Sequence, residues 1–213
     1  MRLPPFERLE DMPRSYIRVL LHIAKQGPKT KYQIERETKI SHATIHEAIR
    51  VLLACRQIKG EKIGTTRVGL PKVEYGLTPR GLIESLYVAK REDVEKIVQI
   101  WKYVEPLFIA KWDYFVTKVG KRKTENMFRG AAEYFDWDSG SMSSNVDQFI
   151  AWAIEYIFEE NMEEEELNRW VRAFRGDRQL KQYVIDYVER DLEFAQDLLK
   201  RARLLQKKFG IRF

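Results

Sequence analysis

The segment from Ser41 to Leu52 constrains the fold of this chain most, because its residues fit a capped helix with one apolar face. A serine at the first position can accept a hydrogen bond from a free backbone N–H of the first turn. At 3.6 residues per turn, apolar and polar side chains separate onto opposite sides. The apolar side holds Ile45, Ala48, Ile49 and Leu52. The outward side holds Ala43, His46, Glu47 and Arg50, with His42 and Thr44 at the N-terminal tip.

Two short strands joined by an exposed loop are predicted after this helix. They cover Gln57 to Ile63 and Lys72 to Leu77, and residues 64–71 between them contain two glycines and a proline. Thr78 is then expected to cap another helix, with Pro79 at the first helical position, where a missing N–H costs nothing. A two-stranded ribbon therefore follows the capped helix directly.

Two further helices are predicted before Ser41. The first ends at Gly27-Pro28, and Thr30 is expected to cap a second helix from Lys31 to Thr38. Residues 1–13 hold three prolines and are expected to form an extended arm. Together these parts predict a winged helix-turn-helix over residues 1–88. In that fold one helix fits the major groove of DNA while the ribbon lies along the phosphate backbone.

The positive charge of the chain is concentrated in this N-terminal part. Residues 1–90 carry 17 Lys and Arg against 9 Asp and Glu, whereas residues 91–213 carry 21 against 23. Neutralisation of phosphates supplies most of the non-specific affinity of nucleic-acid binders. A basic module beside a near-neutral domain therefore favours a nucleic-acid partner.

Residues 89–213 are predicted to form an all-α domain for dimerisation or effector binding. The predicted helices are Arg91 to Val119 with Pro106 as a candidate kink, Thr124 to Trp137, Asn145 to Glu160, Glu163 to Arg175 and Asp177 to Phe209. The last would span about 50 Å at 1.5 Å per residue, which is longer than a small bundle needs. Its apolar residues cover more than one stripe, so one face can serve the domain core and another a second copy of the chain. A mostly α-helical homodimer is therefore expected.

Aromatic residues are concentrated beyond residue 90, where 21 of the 26 lie. One interpretation is the core of a helical bundle and its dimer, because aromatic side chains dominate apolar burial. The other is a pocket between helices for a small aromatic effector. The candidate lining residues are Trp101, Trp112, Tyr134, Trp137 and Trp152.

Catalytic, metal and cofactor sites find little support in the sequence. The three histidines have no Ser, Cys or Asp pattern around them that would form a nucleophilic unit. His42 and His46 are one helical turn apart, but no third zinc ligand accompanies them. The single cysteine, Cys55, rules out an intrachain disulfide and fits a small buried hydrophobe. No enzyme activity, metal or cofactor is therefore assigned.

The sequence also predicts that the protein works away from membranes. No apolar run is long enough to span a bilayer, and proline and charge interrupt the first residues too early for a signal peptide. A soluble cytoplasmic protein without a membrane partner is therefore expected.

Four motifs carry a resemblance to known regulators. Gly27-Pro28 precedes Tyr32-Gln33-Ile34, residues 43–52 read Ala-Thr-Ile-His-Glu-Ala-Ile-Arg-Val-Leu, and residues 75–81 have the spacing Tyr-x-Leu-Thr-x-x-Gly. In these motifs residues 14–86 resemble winged-helix regulators of the PadR and MarR type, with PadR the closer. The chain departs from the PadR pattern at Lys31, His46, Glu47 and Arg56.

The resemblance implies a dimeric transcriptional regulator, usually a repressor, that binds double-stranded DNA and dimerises through C-terminal helices. Residues expected at base edges are His42, Ala43, Thr44, His46, Glu47 and Arg50. Residues expected at the DNA backbone or along the ribbon are Thr30, Lys31, Tyr32, Ser41, Arg56, Lys59, Lys62, Thr65, Thr66, Arg67 and Lys72. The alternative is a winged helix used for protein contacts, with a helical partner-binding domain and no reading of DNA sequence.

Overall fold

The computed structural model describes residues 11–65, 67–102, 107–133 and 163–209. These residues are mostly helical, and the sheet among them is small and antiparallel. This confirms the predicted class, a winged helix followed by a helical region. The chain divides into two units, Met1–Glu159 and Glu160–Phe213. The functional division into residues 1–88 and 89–213 stays a prediction.

Three helices come first among the described residues, and the second and third form a helix-turn-helix. Helix α1 covers Arg14–Gln26, α2 covers Lys31–Thr38 and α3 covers His42–Ala54. Between α2 and α3, Lys39 adopts a left-handed φ of 59° and donates its N–H to the carbonyl of Glu35 at 3.0 Å. The helices pack against one another through buried apolar side chains. These core residues are Val19, Leu20, Ile23, Ile34, Ile45, Ile49 and Leu52.

The ends of these helices confirm the predicted caps. Gly27 ends α1 with a positive φ of 80°, a conformation that suits glycine. Thr30 and Gln33 form a reciprocal capping box: the Gln33 N–H donates to the Thr30 hydroxyl, and the Thr30 N–H donates to the Gln33 side chain. Ser41 caps α3 by accepting from the N–H of Thr44 at 3.3 Å. Local side-chain chemistry therefore sets the start of both helices in the motif.

A three-stranded antiparallel sheet carries the ribbon. Strand β1 covers Lys29–Thr30, β2 covers Ile58–Thr65 and β3 covers Pro71–Leu77, in the spatial order β1-β3-β2. Strands β2 and β3 pair from end to end, with one irregularity between Lys62 and Gly64. Residues 58–77, called the wing below, confirm the predicted ribbon. The two-residue strand β1 is not predicted by the sequence.

Helix α4, Pro79–Val88, closes the module against the base of the wing. As predicted, Thr78 caps it, since its hydroxyl accepts from the Gly81 N–H at 3.1 Å. The same hydroxyl donates to the carbonyl of Arg56 at 2.6 Å. A Cβ at Gly81 would stand 1.9 Å from the Gln57 carbonyl oxygen. The close approach of α4 to the start of β2 therefore requires glycine.

Four described helices follow within the first unit. They are α5 (Arg91–Trp101), α6 (Leu107–Ala110), α7 (Trp112–Val119) and α8 (Lys121–Glu133). Helix α5 packs on α1, and α8 packs on α4 and α7. The N-terminal module therefore shares its core with helices that come later in the chain.

The prediction of one helix from Arg91 to Val119 is wrong, because α5 ends at Trp101 and α7 begins at Trp112. Pro106 lies between them in the sequence, and proline has no N–H to donate within a helix. The basic run 121–123, which lies between the predicted helices Arg91 to Val119 and Thr124 to Trp137, forms the first turn of α8. Its first residue, Lys121, pairs with Glu95 of α5 at 2.6 Å between Nζ and Oε2.

The second unit contains two described helices, α9 (Glu164–Arg175) and α10 (Arg178–Phe209), close to their predicted bounds. Asp177 caps α10, since its carboxylate accepts from the N–H groups of Gln179 and Leu180 at 3.0 and 3.1 Å. The helix predicted from Asn145 to Glu160 lies outside the described residues.

Candidate nucleic-acid interface

The outward face of α3 carries the residues predicted to meet base edges. His42, Ala43, His46 and Arg50 are exposed, and Glu47 is partly exposed. The opposite side of the helix, from Ile45 to Leu52, is buried in the core. The predicted division of this helix into two faces is confirmed, and its outward face is polar.

Thr44 is placed differently from its neighbours. Its side chain is half-buried, and its hydroxyl lies 2.8 Å from the Ser41 hydroxyl. Ser41 is the N-cap of α3, and Thr44 lies in its first turn. Their hydroxyls therefore stabilise the tip of the helix.

Arg50 and Glu47 form a two-point ion pair on the outward face. Arg50 Nε donates to Glu47 Oε2 at 3.0 Å, and Arg50 Nη2 donates to Glu47 Oε1. The hydrogen bond from Arg50 lowers the pKa of Glu47, and the Glu47 carboxylate raises the pKa of Arg50. Both groups therefore stay charged near neutral pH, and each is oriented by the other.

His42 is also paired with a carboxylate. Its Nδ1 lies 3.0 Å from Glu35 Oε2 of α2. The carboxylate therefore bridges the two helices of the motif. Glu35 is not among the predicted site residues, although its place in the helix before the turn could have indicated it.

The wing presents exposed cations along both strands and at its tip. Lys59 and Lys62 lie on β2, Arg67 lies in the tip and Lys72 lies on β3. These four residues are called the wing cations below. Thr65 is exposed on β2, and Thr66 lies outside the described residues.

The remaining backbone candidates fall near the start of α2 and the end of α3. Thr30 is buried and occupied in its capping box, which favours a structural role. Lys31 stands over the Tyr75 ring at 5.8 Å, and Tyr32 is 70% exposed. Arg56 is exposed, with a left-handed φ of 57°, where α3 passes into β2.

Two of the five residues proposed for an effector pocket are core residues. Trp101 is buried and donates its indole N–H to the Ala24 carbonyl at 2.7 Å. Trp112 is buried and packs edge-on against Phe128, with ring centroids 5.1 Å apart. These contacts favour the core interpretation for both. Residues Tyr134, Trp137 and Trp152 lie outside the described part of the chain.

A buried polar cluster at the base of the wing is not predicted by the sequence pattern. Glu84 of α4 is 1% exposed and accepts from Arg80 Nε at 2.8 Å through Oε1. Gln57 is also buried, and its side-chain amide donates to the Met12 sulfur at 3.8 Å. Within the described residues, Glu84 Oε2 and Gln57 Oε1 have no hydrogen-bond partner. Burial raises the pKa of Glu84 to about 7, against the opposing effect of Arg80.

Among the residues that the structure describes, no three of His, Cys, Asp and Glu gather into a group that could hold a metal ion. The described helices also include none that is both long and apolar enough to cross a membrane.

A family model described as the MarR family matches residues 10–62, about a quarter of the chain. The match covers the helix-turn-helix and the first part of β2. It supports a winged-helix regulator of the MarR type over this segment, whereas the closer resemblance to PadR stays a prediction. No curated protein and no solved structure matches the chain.

Proposed function

We propose that this protein is a sequence-specific DNA-binding transcriptional regulator. The observation that carries the proposal is the combination, on one winged helix, of an exposed polar face on α3 with the wing cations. Helix α3 enters the major groove, and the wing follows the phosphate backbone. The family match over residues 10–62 supports the same assignment.

Salt dependence tests this proposal directly. Each phosphate that a cation neutralises adds about 0.9 to the slope of log affinity against log salt, so several contacts give a steep slope. The full chain is titrated onto labelled duplex DNA by fluorescence anisotropy over a series of salt concentrations. Binding that is insensitive to salt, or no binding at all, contradicts the proposal.

Arg67→Ala tests the role of the wing. Arg67 is exposed in the tip, and its loss is expected to weaken binding to all duplexes alike and to flatten the salt slope by about one unit. Arg91→Ala is the matched control, because it removes an exposed arginine from α5, which lies outside the interface. If the slope of Arg67→Ala equals that of the unaltered protein, the wing tip does not contact phosphate.

We propose a homodimer held by α10. Ile185, Val188 and Leu192 fall along one side of this helix and are 36%, 47% and 55% exposed. A second copy of the chain that covers this stripe places two winged helices on half-sites ~34 Å apart, or a multiple of that spacing. The dimer explains why an apolar stripe this exposed is compatible with a stable protein.

Light scattering on full-length variants tests the dimer. Leu192→Glu is expected to yield monomers at micromolar concentration, because it places a charge in the apolar interface. The control is Glu193→Lys, which changes charge roughly a quarter turn around α10. A monomeric unaltered protein refutes the dimer, and a dimeric Leu192→Glu variant removes the stripe from its interface.

A protein-docking module is the second candidate, and the wing supplies the observation that favours it. Three apolar side chains of the wing are exposed: Ile63 by 43%, Val68 by 79% and Leu70 by 62%. Apolar docking depends weakly on salt, so the titration series separates the two candidates.

The finer assignment is a PadR-like repressor that acts in the cytoplasm. It is supported by the Gly27-Pro28 pair and the Tyr-x-Leu-Thr-x-x-Gly motif of residues 75–81. A repressor is expected to lower transcription from a template that carries its selected site, and an activator to raise it.

A further inference from the structure

We propose that Glu47 holds the Arg50 guanidinium end-on toward the major groove, so that the protein selects duplex sites with a guanine beneath Arg50. Glu47 is then a positioning residue for specificity, and this inference rests on the proposed DNA-binding function.

The orientation of Arg50 follows from its contacts. Glu47 lies three residues earlier, so both side chains share one face of α3. The Glu47 carboxylate accepts from both Nε and Nη2 of Arg50. Two such hydrogen bonds fix the plane of the guanidinium, whereas a single one would let it rotate. The side chain of Arg50 is 42% exposed and that of Glu47 is 41% exposed, so the pair lies at the surface where DNA would approach.

The hydrogen-bond donors that remain on Arg50 match guanine. A guanidinium has five N–H groups, and the pair with Glu47 uses one on Nε and one on Nη2. Two on Nη1 and one on Nη2 stay available, and one from each of these nitrogens points outward from the end of the guanidinium. Guanine offers two acceptors in the major groove, O6 and N7, whereas adenine offers one acceptor beside a donor. Arg50 can therefore read guanine without releasing Glu47.

The position of the pair on α3 also favours base reading over phosphate contact. Viewed down the axis of α3, Arg50 projects between Ala43 and His46, near the middle of the outward face and opposite the buried side. Tyr16 of α1 lies close enough to the pair for both charges to act on it. Burial, and then the Glu47 carboxylate, raise the pKa of Tyr16, whereas Arg50 lowers it. A carboxylate here repels phosphates, so Glu47 costs non-specific affinity while it supplies orientation.

The test is a selection of bound sequences from random duplex DNA with the full-length protein. It is repeated with Arg50→Ala, Glu47→Ala and Glu47→Gln, after circular dichroism has checked that each variant is folded. The guanine read by Arg50 is the one whose preference disappears in Arg50→Ala. Titrations then compare a duplex carrying that guanine with one carrying 7-deazaguanine, which lacks the N7 acceptor.

The expected results differ between the variants. The unaltered protein prefers guanine at this position by roughly 5- to 150-fold over other bases. Glu47→Ala loses roughly two- to tenfold of that preference, because the arginine must be immobilised on binding, while its affinity for unrelated duplexes is unchanged or higher. Glu47→Gln keeps one acceptor for Arg50, so its guanine preference is expected to fall between those of the unaltered protein and Glu47→Ala.

Glu35→Ala is the matched control for charge. It removes a carboxylate from the same surface but one that contacts His42, so the guanine preference beneath Arg50 is expected to persist. A Glu47→Ala variant that keeps the full preference overturns the inference. So does salt-dependent binding in which Arg50→Ala changes no base preference, although the proposed function then stands. A chain that shows no salt-dependent DNA binding contradicts both.

Discussion

Glu84→Gln is expected to change how the stability of this protein depends on pH. The Glu84 carboxyl is buried between α4 and the base of the wing, where Arg80 is its charged partner. Burial raises its pKa to about 7 from an ordinary value of 4.5. The folded state therefore binds this proton more tightly than the unfolded chain does.

The size of the effect follows from the two pKa values. At 1.36 kcal/mol per pKa unit, the difference corresponds to about 3 kcal/mol of folding free energy. Because the folded pKa is the higher one, this contribution is fully present below about pH 4.5 and is lost as the pH rises through 7. Glutamine has a similar shape and does not titrate. Its variant therefore lacks this part of the pH dependence.

Urea denaturation followed by circular dichroism at pH 5, 6, 7 and 8.5 measures the difference. At pH 5 the two proteins are expected to agree within about 1 kcal/mol, since the native carboxyl is neutral there. At pH 8.5 the variant is expected to be more stable by up to about 3 kcal/mol, less the contribution of the lost Arg80 pair. Glu92→Gln on the exposed surface of α5 is the control, with no such change. A difference between Glu84→Gln and the unaltered protein that does not vary with pH refutes the reasoning.

Two other substitutions test the packing that holds the module together. Gly81→Ala is expected to destabilise the protein by about 1–3 kcal/mol, because its Cβ would meet the Gln57 carbonyl oxygen at 1.9 Å and the backbone must move. An unchanged midpoint of thermal unfolding would contradict this. Trp101→Phe keeps most of the apolar volume but leaves the Ala24 carbonyl without its indole donor, at a cost of about 1–3 kcal/mol. Denaturant unfolding that shows less than about half a kcal/mol would mean that another donor replaces it.

The helix caps could be predicted from the sequence because each depends on residues three positions apart. Thr30, Ser41 and Thr78 each bond a backbone N–H of their own first turn, so local chemistry is sufficient. Strand β1 could not be predicted in this way. It exists only because Lys29 and Thr30 pair with β3, more than forty residues away.

The candidate site was predictable in its residues and less so in its contacts. The outward face of α3 follows from the helical period, and the Glu47–Arg50 pair is a local contact that its spacing allows. The pairing of His42 with Glu35 depends on the angle between two helices, which no periodicity supplies. The burial of Glu84 depends on the approach of α4 to Gln57, and its sequence neighbourhood resembles that of any exposed helical glutamate.

The irregularity in β2 has a consequence for the direction of the wing tip. Lys62 and Gly64 pair with successive residues of β3, so Ile63 is an extra residue in β2. Such a residue interrupts the two-residue alternation, bends the strand and increases its twist. The ribbon is therefore curved, and its tip points in a different direction from its base. Deleting Ile63 would leave the pairing of Gly64 with Lys72 in place but would remove the bend and the added twist. Arg67 would then be redirected although no charged side chain had been altered.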